Sequence, residues 1–149
     1  MKTHDEKLLA IAIDLAAAAA EQGELPYGSL LADSDGKVLK RAHNTVASSG
    51  DITAHPELKL ARFAATTYPP AQCATITMYT SCEPCAMCAE VIARAGLRRV
   101  VFALSTEQLR TLRPPELAPA TAADVTFEGP ALTDKASELI RAHYRRRAS

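Results

Sequence analysis

The sequence predicts an α/β fold, a three-layer α/β/α sandwich around a central five-stranded, mixed and mostly parallel sheet. Two observations carry this. Segments of helical period and runs of strand formers alternate in the order α-β-β-α-β-α-β-α-β-α, which places helices on both faces of one sheet. A strand at 74–80, the helix after it and a strand at 98–104 form a parallel crossover unit. The length, 149 residues, fits one domain spanning 1–149, and neither an internal repeat nor an interdomain linker interrupts it.

The first helix is expected over about 4 to 22. Thr3 and Glu6 stand at capping-box spacing, and Leu8, Ile11, Ala12, Leu15 and Ala19 recur at helical period until Gly23. Residues 27–32 read as a buried strand, Asp33-Ser34-Asp35-Gly36 as a turn, and 38–46 as the returning strand of a hairpin that ends near Asn44. After a polar loop, Thr53-Ala54-His55 opens a second helix marked by Leu58, Leu60, Ala61, Ala64 and Ala65 and closed by Tyr68-Pro69-Pro70. The strand formers of 74–80 deliver the chain to Pro84 and Cys85, where a third helix begins and runs to Gly96. Residues 98–104 form a fourth strand, 105–112 a short helix, 113–120 a loop and Val125-Thr126-Phe127 a short fifth strand. The last helix, 133–146, carries Ala136, Leu139, Ile140, His143 and Tyr144 on one side.

Basic and acidic residues number 17 each, and the resulting zero net charge gives no general ground for expecting nucleic acid as a partner. Arg141, Arg145, Arg146 and Arg147 crowd the C-terminus, which leaves the rest of the chain mildly acidic. Four cysteines are few for a disulfide framework, and three of them fall within 82–88, a spacing that suits a metal. The expected setting is reducing and cytoplasmic. The alanine-rich run 16–20 lies between Asp14 and Glu21, too short and too charged at its flanks for a signal or a membrane span, so no membrane partner is expected.

The chemistry concentrates in two stretches, Thr53-Ala54-His55-Pro56-Glu57 and Thr80-Ser81-Cys82-Glu83-Pro84-Cys85-Ala86-Met87-Cys88. Cys85 and Cys88, three apart on a helix, share a face, and at its start they lie near the positive end of the helix, which favours thiolates. His55 supplies a third ligand, and three protein ligands to zinc leave a fourth position for water. Residues two apart on a helix face different ways, so His55 must lie outside the helix that carries Glu57. Pro56 provides for this, because it disfavours helical dihedrals at the residue before it and itself fits a first helical turn. Cys82 offers an alternative reading, a closed four-ligand structural site. Asn44 reads either as a contact to a nucleobase edge or as a turn asparagine ending its strand. Cys73 reads as a small buried apolar residue.

His-x-Glu paired with Pro-Cys-x-x-Cys is the signature of zinc deaminases. With Asn44, and with Pro26-Tyr27-Gly28 standing for a Pro-Phe-Gly, the chain resembles the cytidine deaminase superfamily over almost its whole length. Within it, the resemblance is to the branch of guanine deaminases, cytosine deaminases and tRNA adenosine deaminases. Pro56 departs from the alanine more usual between the histidine and the glutamate. The resemblance implies zinc on His55, Cys85 and Cys88, with Cys82 outside the metal shell, and Glu57 as the proton shuttle. It further implies a substrate-binding set of Asn44, Ala54, Tyr27, Glu83 and Tyr144, with the C-terminal segment covering the pocket, and a homodimer.

The activity so expected is hydrolytic deamination of a free aminated nucleobase or nucleoside, guanine-type purines first and cytosine-type pyrimidines second, with release of ammonia. Two alternatives stand beside it. A tRNA adenosine deaminase would use the terminal arginines as an RNA-binding arm, although those arginines also read as a solvated helix end. A non-catalytic zinc-binding module would have no need of Glu57.

Overall fold

The computed structural model describes residues 3–148. It divides into two compact units, Met1–Glu116 and Leu117–Ser149.

The first unit is built on a four-stranded sheet of β1 (Gly28–Ala32), β2 (Val38–His43), β3 (Thr77–Cys82) and β4 (Arg99–Leu104), in the order β2-β1-β3-β4. β1 runs antiparallel to both β2 and β3, and only β3 and β4 are parallel. The sheet is therefore mixed, as expected, but neither five-stranded nor mostly parallel. The chain leaves the β1–β2 hairpin, crosses behind β1 and inserts β3 on its far side, so β1 opposes both neighbours. The expected fifth strand at 125–127 is irregular, following a 3₁₀ turn at Ala122–Asp124. Three residues of strand formers, cut off by Gly129-Pro130, are too few to sustain a ladder on their own propensity.

Alternation along the strands separates two cores. Leu30 and Ala32 of β1, Tyr79 of β3 and Val101 of β4 gather with Leu8 of α1 (Asp5–Glu21). Leu31 and Met78 point the other way, to Leu60, Ala61 and Ala64 of α3 (Pro56–Thr67) and Ile92 of α5 (Ala86–Ala95). Helices thus cover both faces, and β1 is buried throughout. α1 lies so close to the sheet at Gly28 that a Cβ there would come within 2.5 Å of Ala16 N and 2.6 Å of Ala12 O, which excludes any larger residue.

α1 ends as expected, with Gly23 at φ 82°. Its start differs. His4 is the N-cap without a side-chain bond, so Thr3 and Glu6 form no capping box. Asp5 serves tertiary structure instead, its buried carboxylate taking Arg99 Nη2 at 2.6 Å and the Tyr79 hydroxyl at 2.5 Å. The polar loop after β2 contains a four-residue helical turn, α2 (Val46–Ser49), stopped by Gly50 in the left-handed region. A second short turn, α4 (Pro70–Cys73), precedes β3, and α6 (Thr106–Leu112) follows β4 with a Ser105/Gln108 capping box. Cys73 is buried as expected, its thiol 3.4 Å from Ala64 O. In the second unit α7 spans Thr133–Ala148, and its Leu139, Ile140 and Tyr144 are exposed. No described helix is long and apolar enough to cross a membrane.

Asp5→Ala should leave Arg99 and the Tyr79 hydroxyl without their buried acceptor. The expected cost is about 3 kcal/mol, the low end for breaking a buried pair, because a third of the Arg99 side chain stays in water. Urea denaturation should show a lower midpoint at unchanged slope. A midpoint equal to that of the parent would contradict this role.

Candidate active site

β3 ends at Cys82, and the helices α3 and α5 both begin at this end of the sheet. His55 is the N-cap of α3, extended at φ −83° and ψ 140°, with Pro56 in the first turn. The proline thus does what its chemistry dictates, holding the histidine out of the helix while Glu57 enters it. On the other side Cys85 is the N-cap of α5 at φ −67° and ψ 169°, so that helix starts at Ala86, one residue later than expected. Cys88 follows within the first turn.

The ligand atoms of His55, Cys85 and Cys88 lie within 4.8 Å of one another. His55 Nδ1 is 3.8 Å from Cys85 Sγ and 3.5 Å from Cys88 Sγ. Tetrahedral zinc with ordinary Zn–N and Zn–S bonds requires an N···S separation of about 3.6 Å. The donor set therefore fits zinc in both chemistry and spacing. Cys82 does not join the cluster, which leaves the four-ligand reading without support among the described residues.

The three donors share charge unevenly. The Cys88 thiol donates to Cys85, and this bond together with the His55 ring brings the Cys85 thiol down to about 4. The same bond and burial push Cys88 well above the usual thiol range. Its bond to Cys85 raises His55.

Glu57 is 7% exposed, and burial raises its carboxyl above the usual carboxylate range. Two hydroxyls oppose that shift. Ser29 Oγ lies 2.9 Å and Thr80 Oγ1 3.2 Å from the same oxygen, Oε1, and the hydroxyls are 2.7 Å apart. Both are fully buried. Sequence reading missed this pair, although a serine inside the otherwise apolar Gly28–Ala32 strand is a signal, since a hydroxyl is buried only with a partner.

Asn44 is 1% exposed and closes β1 against β2 by donating its N–H to Tyr27 O at 3.0 Å. Its Oδ1 accepts from Val46 N at 2.9 Å, so the turn role is realised and the side-chain NH₂ remains the group it can offer a ligand. Ala54 is buried, its carbonyl accepting from Thr45 N. Tyr27 is half-buried. Glu83 is exposed, and its Oε1 accepts from Thr106 N at 3.0 Å at the start of α6. Tyr144 belongs to α7 in the second unit, with its ring edge-on to His143.

Two further residues that sequence reading passed over hold the Asn44 loop. Lys59, one turn after His55, donates to His43 O at 2.9 Å and to Thr45 Oγ1 at 2.7 Å, bracketing Asn44. Glu24 accepts from Ser48 N at 2.8 Å and Ser48 Oγ at 2.7 Å. The helix that supplies His55 and Glu57 thus also ties down the loop that presents Asn44.

A buried carboxylate stands beside a His/Cys/Cys cluster that could hold a metal ion, at two converging helix starts. The chain belongs to the family described as cytidine and deoxycytidylate deaminase zinc-binding region, whose model matches residues 2–104. It is 37% identical over 98 residues to a probable cytosine deaminase of Schizosaccharomyces pombe, covering 66% of this chain and 59% of that protein. It is 34% identical over 101 residues to a tRNA-specific adenosine deaminase of Haemophilus influenzae, covering 68% of this chain and 58% of that one. The chain thus matches somewhat under two thirds of the length of these relatives. In structure it is similar to a guanine deaminase of Bacillus subtilis, with a TM-score of 0.74 at 26% identity, covering 97% of this chain and 95% of that one.

Zinc takes neutral imidazole and thiolate ligands, so binding must displace whatever protons the donors hold. Binding to the metal-free protein at pH 7 should release at least one proton, that of the Cys88 thiol, which burial and its bond to Cys85 hold on the sulfur until the metal displaces it. Calorimetry in buffers of different ionisation enthalpy reads this number. Release of no proton would contradict the assignment, as would zinc retained by Cys88→Ala or lost from Cys82→Ala.

Proposed function

We propose that the chain is a hydrolytic deaminase of a free aminated nucleobase or nucleoside, guanine-type purines first and cytosine-type pyrimidines second. The observation that carries the chemistry is Glu57, a buried carboxylate set beside the three-donor cluster but outside it. A structural zinc site has no use for such a group.

Zinc, when bound by His55, Cys85 and Cys88, supplies the charge that brings the pKa of water to about 7. Glu57 accepts one proton of the attacking water and delivers it to the ring nitrogen next to the attacked carbon, then takes the second from the hydroxyl of the tetrahedral adduct and passes it to the leaving amine. Ammonia departs and a carbonyl takes its place. The burial that raises the Glu57 carboxyl makes it a stronger base toward that water than an exposed carboxylate would be. Asn44, its Oδ1 engaged by Val46, presents N–H donors, which match the O6 and N7 acceptors of a guanine-type edge. Tyr27, Ala54, Glu83 and Tyr144 complete the substrate set of this reading, and the working form is a cytoplasmic homodimer.

The purine reading is supported by the guanine deaminase likeness, which extends over 97% of the chain, whereas a tRNA:A34 deaminase structure covers 77% of it at a TM-score of 0.60. A second reading, a tRNA adenosine deaminase, draws on the relatives of that name and on a groove of about 290 Å³ lined by Lys40, Arg41, His43 and Lys59. Two of those cations are already engaged, Lys59 by the Asn44 loop and Lys40 by the Phe63 ring, 5.2 Å from its nitrogen.

An ammonia-release screen of the zinc-loaded protein against guanine, cytosine, adenine, their nucleosides and related aminated heterocycles tests the proposal. Turnover of a free base or nucleoside, indifferent to deletion of 145–147, is the expected result. Inosine formation in a tRNA anticodon loop, with every free compound inert and activity lost on that deletion, would overturn it in favour of the second reading.

A further inference from the structure

We propose that Ser29 and Thr80 are positioning residues for Glu57, anchoring Oε1 so that Oε2 is the oxygen that exchanges protons with water and substrate. The inference rests on the reading of Glu57 as the proton carrier.

Ser29 and Thr80 are register partners on the adjacent antiparallel strands β1 and β3. Each shares the strand face of a core residue that meets α3, Ser29 with Leu31 and Thr80 with Met78, so both hydroxyls are aimed at the first turn of that helix. There the three oxygens form a triangle of 2.7, 2.9 and 3.2 Å. Two hydroxyls bring two protons to three contacts. Every arrangement that uses both protons within the triangle leaves Oε1 accepting at least one of them.

A structural reading would have the two hydroxyls merely satisfy each other inside the sheet. Their 2.7 Å contact does achieve that for one of the two protons. The other proton then has Oε1 as its acceptor, and both contacts to Glu57 fall on this one oxygen. A glutamate has rotatable bonds to lose, and fixing one oxygen on two rigid strands places the other without further cost at the moment of reaction.

Ser29→Ala and Thr80→Val each delete one hydroxyl, the first by the smallest change at a buried strand position, the second isosterically. Thr80→Ser keeps the hydroxyl. On the substrate identified by ammonia release, Ser29→Ala and Thr80→Val should lower kcat by roughly 10–100-fold with KM within about twofold. Zinc content should be unchanged, and Thr80→Ser should restore kcat to within about threefold of the parent. In a Glu57→Gln background Ser29→Ala should lower the residual rate no further, the non-additivity of groups acting through one another. Either deletion, folded and zinc-loaded, suffices for the test. A kcat within twofold of the parent, with only thermal stability changed, would overturn the proposal. Failure of the underlying reading looks different, because Glu57→Gln would then itself turn over at the parental rate. Full loss in Glu57→Gln beside full activity in Ser29→Ala refutes the positioning role alone.

Discussion

The geometry of the site depends on one backbone constraint, the refusal of a residue before proline to become helical. His55 stays extended because Pro56 follows it, and Pro56 opens α3 because its fixed φ suits a first turn. A histidine and a carboxylate two residues apart, which a continuous helix would aim at different faces, can then address one point. The second helix meets the same requirement differently. Pro84 lies before Cys85, the extended N-cap, and the two cysteines span the first turn of α5. Two helix starts, with the positive ends of their dipoles, converge where the thiols of Cys85 and Cys88 lie.

The sheet serves that convergence. Its two faces do different work: Leu30, Tyr79 and Val101 bind α1, while Leu31 and Met78 bind α3 and α5. The second face continues past its apolar residues into Ser29 and Thr80, which meet Glu57. On the other face of the same strands, the buried Asp5 carboxylate joins α1 to Tyr79 of β3 and to the partly exposed Arg99 of β4. Burial of Glu57 raises its carboxyl, and the hydroxyls limit the rise, so the fold sets the carboxylate between two opposing influences.

The parts of the molecule legible in the sequence are those fixed by local chemistry. Proline and cysteine spacing placed α3 and α5 to within a residue or two, and the zinc donors emerged together as expected. Gly23 marked the end of α1 because a left-handed residue there is a local demand. Non-local facts were not legible. Strand direction depends on which neighbour a strand finds, so the insertion of β3 beside β1, which makes the sheet chiefly antiparallel, left no trace in the order of elements. Residues 125–127 have the composition of a strand but form no ladder among the described residues. Thr3 has the spacing of a cap, but the tertiary pull on Asp5 decided how α1 begins. Ser29 and Lys59 escaped notice for the same reason, since nothing in their own sequence surroundings names the glutamate or the loop they reach.

Glu57 lies outside the three-donor cluster, and its proposed part in the reaction requires that it stay off the metal. Glu57→Gln, measured for zinc content and single-turnover ammonia release on one preparation, tests this most directly. The amide is nearly isosteric, so the protein should keep about one zinc per chain while the chemical step falls by at least roughly 10²–10⁴-fold. Loss of zinc in this variant would make the carboxylate a ligand, and retained turnover would remove it from the reaction; either result contradicts the account.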